Sequence, residues 1–282
     1  MDDIAIRIVT DSTCDFSRDD QKRLGIHVVP LTVHFTGASY LDGVDLTNEQ
    51  FYYKLETSEK LPTTSQVSPE TFMEVFRGYI DAGDEVVGIF ISGAISGTYH
   101  SACMAQKSLA SSRIHVVDSR SATMSLALLV SEAVKMRDEG FPAEEIASHI
   151  SALTAKVRFL AAANTLKYIR KGGRISATTV VIGEALGIKP IIAVIDGAAH
   201  AIDKARGMKM AVRAILKHAL ADLPDLRYGV AFAHSCAPEL LEKAIACLKE
   251  PLELTHWFVV NIGSVIGTYA GKGIVGFAYI AR

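Results

Sequence analysis

Several common classes of protein leave signatures that are missing from this sequence. The 282 residues carry a formal charge of only −2, which gives no general attraction to DNA, RNA or an anionic membrane. Apolar runs such as residues 122–130 are too short to cross a bilayer. The opening Met1-Asp2-Asp3 lacks the basic residues of a signal peptide. We therefore expect a cytoplasmic protein with no nucleic-acid partner and no stable membrane insertion.

Signatures of catalysis and of metal binding are also scarce. The sequence contains no Walker A motif, no G-x-S-x-G elbow and no H-E-x-x-H pair, and its nine histidines are scattered. The four cysteines show neither CxxC nor zinc spacing, which is typical of reduced residues in a cytoplasmic protein: Cys14, Cys103, Cys236 and Cys247. We expect no metal and no cofactor.

What the sequence does contain is ample apolar material in alternating elements. Hydrophobic residues make up 49% of the chain and charged residues 21%, enough for a sizeable core. Strands are predicted at 4–10, 26–35, 85–92 and 114–118. Helices are predicted between them, including 17–24, 97–110 and 121–139. This alternation favours a mainly parallel sheet with helices on both faces.

The pattern changes after residue 157. Two short helices are predicted at 165–171 and 177–186, and Asp196-Gly197 between two β-rich runs indicates a hairpin. Hairpins mixed with helices favour a mixed sheet. We therefore predict an α/β protein with an N-terminal domain at 1–156 and a C-terminal mixed α/β domain at 157–282.

Three hydroxyl-rich segments follow predicted strands, where ligands gather in open parallel sheets. They are Thr10-Asp11-Ser12-Thr13, the segment from Ser92 to Tyr99, and Asp118-Ser119-Arg120-Ser121. Residues 62–66 form a fourth such segment in a predicted loop. These hydroxyls and helix-start amides can hold an anionic oxygen, or they can serve only as helix caps and turns.

Two of these segments contain a carboxylate. Asp11 and Asp118 can form a carboxylate pair, with Asp11 or Asp118 as the base of an enzyme working on a phosphate or acyl ester, or they can simply cap turns. His100 and His115 are interpreted as structural. One basic segment stands apart, with Lys171 and Arg174 around a pair of glycines and Arg206 further on. It forms either a solvated face or a surface for phosphate or an acidic partner.

Taken in order, these segments resemble the DegV family of fatty-acid-binding proteins over essentially the whole chain. The matching residues are Thr10-Asp11-Ser12-Thr13, Pro62-Thr63-Thr64-Ser65-Gln66, Ser96-Gly97-Thr98-Tyr99, Asp118-Ser119-Arg120-Ser121, Lys171-Gly172-Gly173-Arg174-Ile175-Ser176, Lys204-Ala205-Arg206-Gly207 and Gly267-Thr268. The resemblance implies two α/β domains with a lipid tunnel at their interface. It also implies that the protein holds a long-chain fatty acid and performs no chemistry itself, and that a fatty acid kinase subunit can be its partner.

The resemblance also implies positions for the fatty-acid carboxylate. Hydroxyls of Thr64, with Thr63 or Ser65, and of Ser92 or Ser96 are expected to hold it. The chain departs from the family pattern in having Gly93 where a second serine is usual and Tyr269 where histidine is usual. We expect Tyr269 either to donate a hydrogen bond to the carboxylate or only to pack its loop against the other domain. Lys171, Arg174 and Arg206 are expected to meet a partner or phosphate more than the lipid.

Overall fold

The computed structural model describes residues 4–175 and 187–282. The predicted helix at 177–186, and Ser176 of the basic segment, lie outside them. The strands of the first half are β1 (Ile6–Asp11), β2 (Ile26–Val29), β3 (Thr32–Phe35), β4 (Ala38–Leu41), β5 (Thr63–Ser65), β6 (Glu85–Phe90) and β7 (Ile114–Asp118). The helices of this half are α1 (Arg18–Leu24), α2 (Asn48–Thr57), α3 (Pro69–Asp81), α4 (Thr98–Leu109), α5 (Thr123–Asp138) and α6 (Ala143–Leu153).

The first half is built on a four-stranded parallel sheet in the order β2-β1-β6-β7. Helices α3 and α4 cover one face, and α5 and α6 cover the other. This confirms the predicted parallel sheet with helices on both faces. The helix boundaries follow from local chemistry: Thr47 and Gln50 form the reciprocal capping box at the start of α2. Gly25 ends α1 in a left-handed conformation with φ of 60°.

The predicted strand at 26–35 is wrong as a single element. It divides at Pro30 into β2 and β3, because proline cannot donate to a strand ladder. Strand β3 leaves the main sheet and pairs on both sides with β4 and β5 in a small antiparallel sheet. Strand β5 lies in the segment 62–66 that is predicted to be a loop, so that segment is partly ordered against β3.

The second half is a six-stranded mixed sheet in the order β10-β9-β8-β13-β11-β12, as the hairpin pattern predicts. Its strands are β8 (Val157–Ala162), β9 (Ile188–Ile195), β10 (Ala198–Arg206), β11 (Val230–His234), β12 (Trp257–Asn261) and β13 (Val275–Ile280). Its helices are α7 (Lys167–Lys171), α8 (Met208–Ala221), α9 (Pro238–Lys249) and α10 (Ser264–Ala270). Asp196 and Gly197 turn β9 into β10 with φ of 50° and 80°, the predicted hairpin. The division into domains 1–156 and 157–282 stays a prediction.

Helix α5 joins the two halves. One side packs against β1 and β6 of the parallel sheet, and the other packs against β11 and β13 of the mixed sheet. Twelve of its 16 residues are buried, so it is enclosed around most of its circumference, as expected of a helix between two layers. Among residues 4–175 and 187–282, no helix has both the length and the apolar character needed to span a bilayer.

Candidate ligand cavity

A cavity of about 380 Å³ lies between the carboxyl edge of the parallel sheet and the inner face of the mixed sheet. The parallel half contributes Leu31, Ile91 and the start of α5 at Ala122 and Thr123. The mixed half contributes aliphatic and aromatic side chains from β8, β9, β10, α7, α10 and the residue before β13: Phe159, Ala161, Ile169, Ile192, Val194, Ala199, Val265, Ile266, Ala270 and Ile274. The interior of the cavity is therefore almost wholly apolar.

Polar groups gather at one end of this cavity. They come from both halves of the chain: Thr64, Gln66 and Ser96 from the first, and Arg174 and Tyr269 from the second. Ser65 also lines the cavity, but its hydroxyl lies 2.7 Å from a ring nitrogen of His34. Strand β5 positions the threonine and serine, while α10 positions the tyrosine. The structure thus brings together four of the six residues predicted to hold a carboxylate, namely Thr64, Ser65, Ser96 and Tyr269.

Thr64 and Tyr269 form a direct contact between the two halves. Their hydroxyl oxygens lie 2.7 Å apart, within hydrogen-bond distance. The Arg174 guanidinium lies over the Tyr269 ring at 4.9 Å from its centroid and donates to the Gly172 carbonyl at 2.6 Å. These contacts hold the cation in place but carry no formal negative charge. A side chain at Gly172 would collide with the Tyr269 ring, so glycine is what lets the ring lie there.

Arg174, which is expected to meet a partner or phosphate more than the lipid, lines the polar end of the cavity, and its role stays a prediction. This end also opens outward. Thr64, Arg174 and Tyr269 line both the cavity and a groove on the outside of the protein, together with Thr63 and Lys171. Any group bound between Thr64 and Arg174 would thus face the cavity on one side and this outer groove on the other.

The other predicted residues lie elsewhere. Ser92 is fully buried, and its hydroxyl accepts from the Ala94 amide at 3.2 Å in a turn that does not line the cavity. Thr63 and Lys171 lie in the outer groove and not in the cavity. Arg206 is exposed at the end of β10. Of the two serines that the resemblance offers as alternatives, Ser96 lines the cavity and Ser92 does not.

The two carboxylates considered for catalysis bind the backbone. Asp11 is fully buried and accepts from the Thr13 amide and hydroxyl and from the Ile91 amide, so both of its oxygens are engaged. Burial raises the pKa of Asp11 to about 6, against these hydrogen bonds. Asp118 accepts from the amides of Gly93 and Arg120. Both act as turn acceptors, the structural alternative considered for them from the sequence.

Two further acids are a feature that sequence reasoning missed. Asp15 accepts from the Gly263 amide at 2.9 Å, and Asp42 accepts from the amide and hydroxyl of Ser264 at 3.0 and 2.5 Å. Both acids belong to the first half; Asp42 is buried and Asp15 is partly buried, and burial of the carboxyl raises the pKa of each. They hold the start of α10, and hence Tyr269, against the first half. Within the described ranges, no three His, Cys, Asp or Glu side chains are grouped to hold a metal ion.

Known proteins share both this sequence pattern and this fold. A family model described as an uncharacterised protein of the DegV family matches residues 5–282. A DegV domain-containing protein of Caldanaerobacter subterraneus is 40% identical over 274 residues, covering 96% of this chain and 97% of that protein.

A DegV family protein of Thermus thermophilus, whose structure is described for fatty-acid binding, superposes with a TM-score of 0.89 at 31% identity, covering 98% of this chain and 100% of that one. A stearic-acid-binding protein of Eubacterium ventriosum superposes with a TM-score of 0.87 at 27% identity, with 98% of each chain covered. The chain therefore belongs to the DegV family.

Proposed function

We propose that the chain binds a long-chain fatty acid as a cytoplasmic binding protein that needs no cofactor. The acyl chain would occupy the cavity between the two sheets, and the carboxylate would lie among Thr64, Ser96, Arg174 and Tyr269. The observation that carries this proposal is the form of the cavity: an apolar body that is polar at one end, where a guanidinium and several hydroxyls converge. A molecule with one anionic end and a long apolar tail matches both parts.

The energetics favour such a ligand. Burying about 14 methylene groups at roughly 0.8 kcal/mol each contributes on the order of 11 kcal/mol before the cost of association. Neutral hydroxyls and one cation then need only orient the head group. The fatty-acid-binding proteins of Thermus thermophilus and Eubacterium ventriosum have the same fold, which supports the proposal.

Mass spectrometry of the purified protein tests this function. Native spectra should show an added mass that extraction identifies as a fatty acid, and the delipidated protein should take up added fatty acid in equal molar amount. A delipidated, folded protein that binds no fatty acid would contradict the proposal. Hydrolysis of ester substrates by that protein would instead support an enzyme.

We expect Thr64→Val and Tyr269→Phe each to weaken fatty-acid binding. Each removes one neutral hydrogen-bonding group at the polar end, so the loss should be about 0.5–1.5 kcal/mol, a few-fold to tenfold in affinity. Because the two hydroxyls contact each other, the double variant should lose less than the sum of the single losses. Titration calorimetry of the delipidated proteins measures this. Ser92→Ala is the control, since its hydroxyl faces a turn; equal losses in all three variants would contradict the assignment.

We also propose that the outer groove presents the bound carboxylate to a fatty acid kinase. The groove reaches Thr64, Arg174 and Tyr269 from outside and carries the exposed Lys171 on its wall. A phosphate donor could approach the carboxylate by this route without the acyl chain leaving the cavity. Lys171, Arg174 and Arg206 would then attract an acidic partner surface.

Charge reversal separates the two roles of these cations. Arg206→Glu should spare lipid affinity and weaken a kinase complex, with the loss growing as salt is lowered, because Arg206 is exposed and does not line the cavity. Arg174→Glu should weaken both, because its side chain lines the cavity. Lipid titration and kinase binding at two salt concentrations measure the effects. Loss of lipid with an intact complex in Arg206→Glu would contradict the partner role.

A further inference from the structure

Strands β8 and β9 of the mixed sheet are joined over only part of their length. The described ladder consists of Leu160–Ala193, Ala161–Ile192 and Ala162–Ile191, and it ends at Leu160. Beyond this point each strand stays paired on its other side, β8 with β13 as far as Val157 and β9 with β10 as far as Ile195. The next residues in register across the two strands are Phe159 and Val194.

A second cavity of about 540 Å³ lies where the ladder ends. Phe159 and Val194 line this second cavity and also line the ligand cavity. The rest of the second cavity combines apolar side chains with polar and charged ones, among them Arg120, Asp196, His218 and Asp222. Phe159 and Val194 therefore lie between an apolar cavity and one that holds several charged side chains.

We infer that Phe159 and Val194 form the floor of the ligand cavity and set the longest acyl chain that the protein accepts. This inference rests on the proposed fatty-acid binding and adds its chain-length specificity. In antiparallel strands, residues opposite each other in register project to the same face, so both side chains point toward the ligand. An acyl chain that reaches them is fully buried. A longer chain must displace both side chains and push its methyl end into the second cavity. The charged side chains there would lose hydrating water and gain no hydrogen-bond partner in exchange.

The size of the floor residues should therefore decide the preferred length. Phe159→Ala removes a ring and opens the ligand cavity into the second one, so the optimum should move to chains longer by roughly two to four carbons. For a fatty acid two carbons beyond the wild-type optimum, the affinity should rise about tenfold relative to wild type. Val194→Phe should move the optimum in the opposite direction, to shorter chains.

Titration of delipidated proteins with saturated fatty acids of about 12 to 22 carbons tests this, since each buried methylene adds to affinity only while it fits. The matched control is Ile266→Ala, which shortens a side chain that lines only the ligand cavity. It should lower affinity across the series without moving the optimum. Thermal unfolding shows whether each variant is folded. If Phe159→Ala does not fold, Phe159→Leu replaces it and should shift the optimum in the same direction by a smaller amount.

An unchanged optimum in the folded Phe159 and Val194 variants, or an equal shift in Ile266→Ala, would overturn the inference and leave fatty-acid binding intact. Failure of the wild-type protein to bind any member of the series would instead overturn the proposed function. The two failures are therefore distinguishable within one experiment.

Discussion

Replacing Ala161 with phenylalanine should abolish fatty-acid binding at concentrations that saturate the wild-type protein. Ala161 lies on β8, two residues from Phe159, and lines the cavity with 2% of its surface exposed. A phenyl ring there occupies space that the acyl chain needs. Displacing about four methylenes costs roughly 3 kcal/mol, which is a loss of at least 100-fold in affinity. Titration of the delipidated variant measures it.

Ala161→Ser is the control, because serine is close to alanine in size and should bind within a few-fold of wild type. The phenylalanine variant should stay folded, since its ring enters an existing cavity instead of a filled core, where overpacking costs about 1–3 kcal/mol. Wild-type affinity in a folded Ala161→Phe variant would mean that the acyl chain lies elsewhere.

Replacing Asp15 with asparagine should stabilise the protein above neutral pH. The Asp15 carboxyl is buried near Asp11 and Asp42, and burial raises the pKa of all three carboxyls, that of Asp11 to about 6. The native state therefore binds these protons more tightly than the unfolded chain, in which the pKa of Asp is about 3.9. Below about pH 4 both states are protonated and the effect vanishes. As pH rises from there, the unfolded chain ionises first, so the free energy of unfolding falls. For Asp11 the fall ends near pH 6, and the raised pKa of Asp15 gives a fall of the same sign.

Asparagine keeps an oxygen for the Gly263 amide and removes the charge that burial opposes. Asp15 has φ of 59°, a left-handed conformation that asparagine adopts readily. The gain should be on the order of 1–3 kcal/mol at pH 8 and should shrink towards pH 4. Denaturant unfolding of both proteins across this pH range measures it.

Asp196→Asn is a matched control, because Asp196 has a similar φ of 50° but a side chain that is 87% exposed. Asp196→Asn removes the same charge from an exposed side chain, so it should not raise the free energy of unfolding by a comparable amount. A less stable Asp15→Asn variant at pH 8, or a gain independent of pH, would contradict the prediction. Either result would mean that the ionised Asp15 carboxylate does not destabilise the native state.

Local sequence chemistry predicted much of the fold. The strands predicted at 4–10, 85–92 and 114–118 and the Asp196-Gly197 turn each depend on neighbours within a few residues, and each was found in the structure. The parallel sheet followed because alternating strands and helices leave few other arrangements. Pro30 is also a local feature: because proline cannot donate to a strand ladder, its position predicts that β2 and β3 are separate strands.

The ligand cavity was less accessible to such reasoning because its walls come from both halves of the chain. Whether Ser92 or Ser96 faces the ligand depends on which way one turn is oriented, and spacing in the sequence does not determine this. The position of Arg174 depends on the stacking of its guanidinium on Tyr269, which is 95 residues away along the chain. In the sequence, Asp15 and Asp42 look like ordinary polar loop residues. Only the structure shows that their carboxyls accept from the amides of Gly263 and Ser264.

The position of α5 between the two sheets has a consequence for how the protein is made. The helix is complete at residue 138, but β11 and β13, which cover one of its sides, end at residues 234 and 280. During synthesis, at about 5–20 residues per second, that side waits several seconds or longer for its partners to leave the ribosome. A nascent chain with an uncovered apolar helix is a target for chaperones and for aggregation. We therefore expect substitutions in β13, the last strand, to act first by lowering the yield of folded protein.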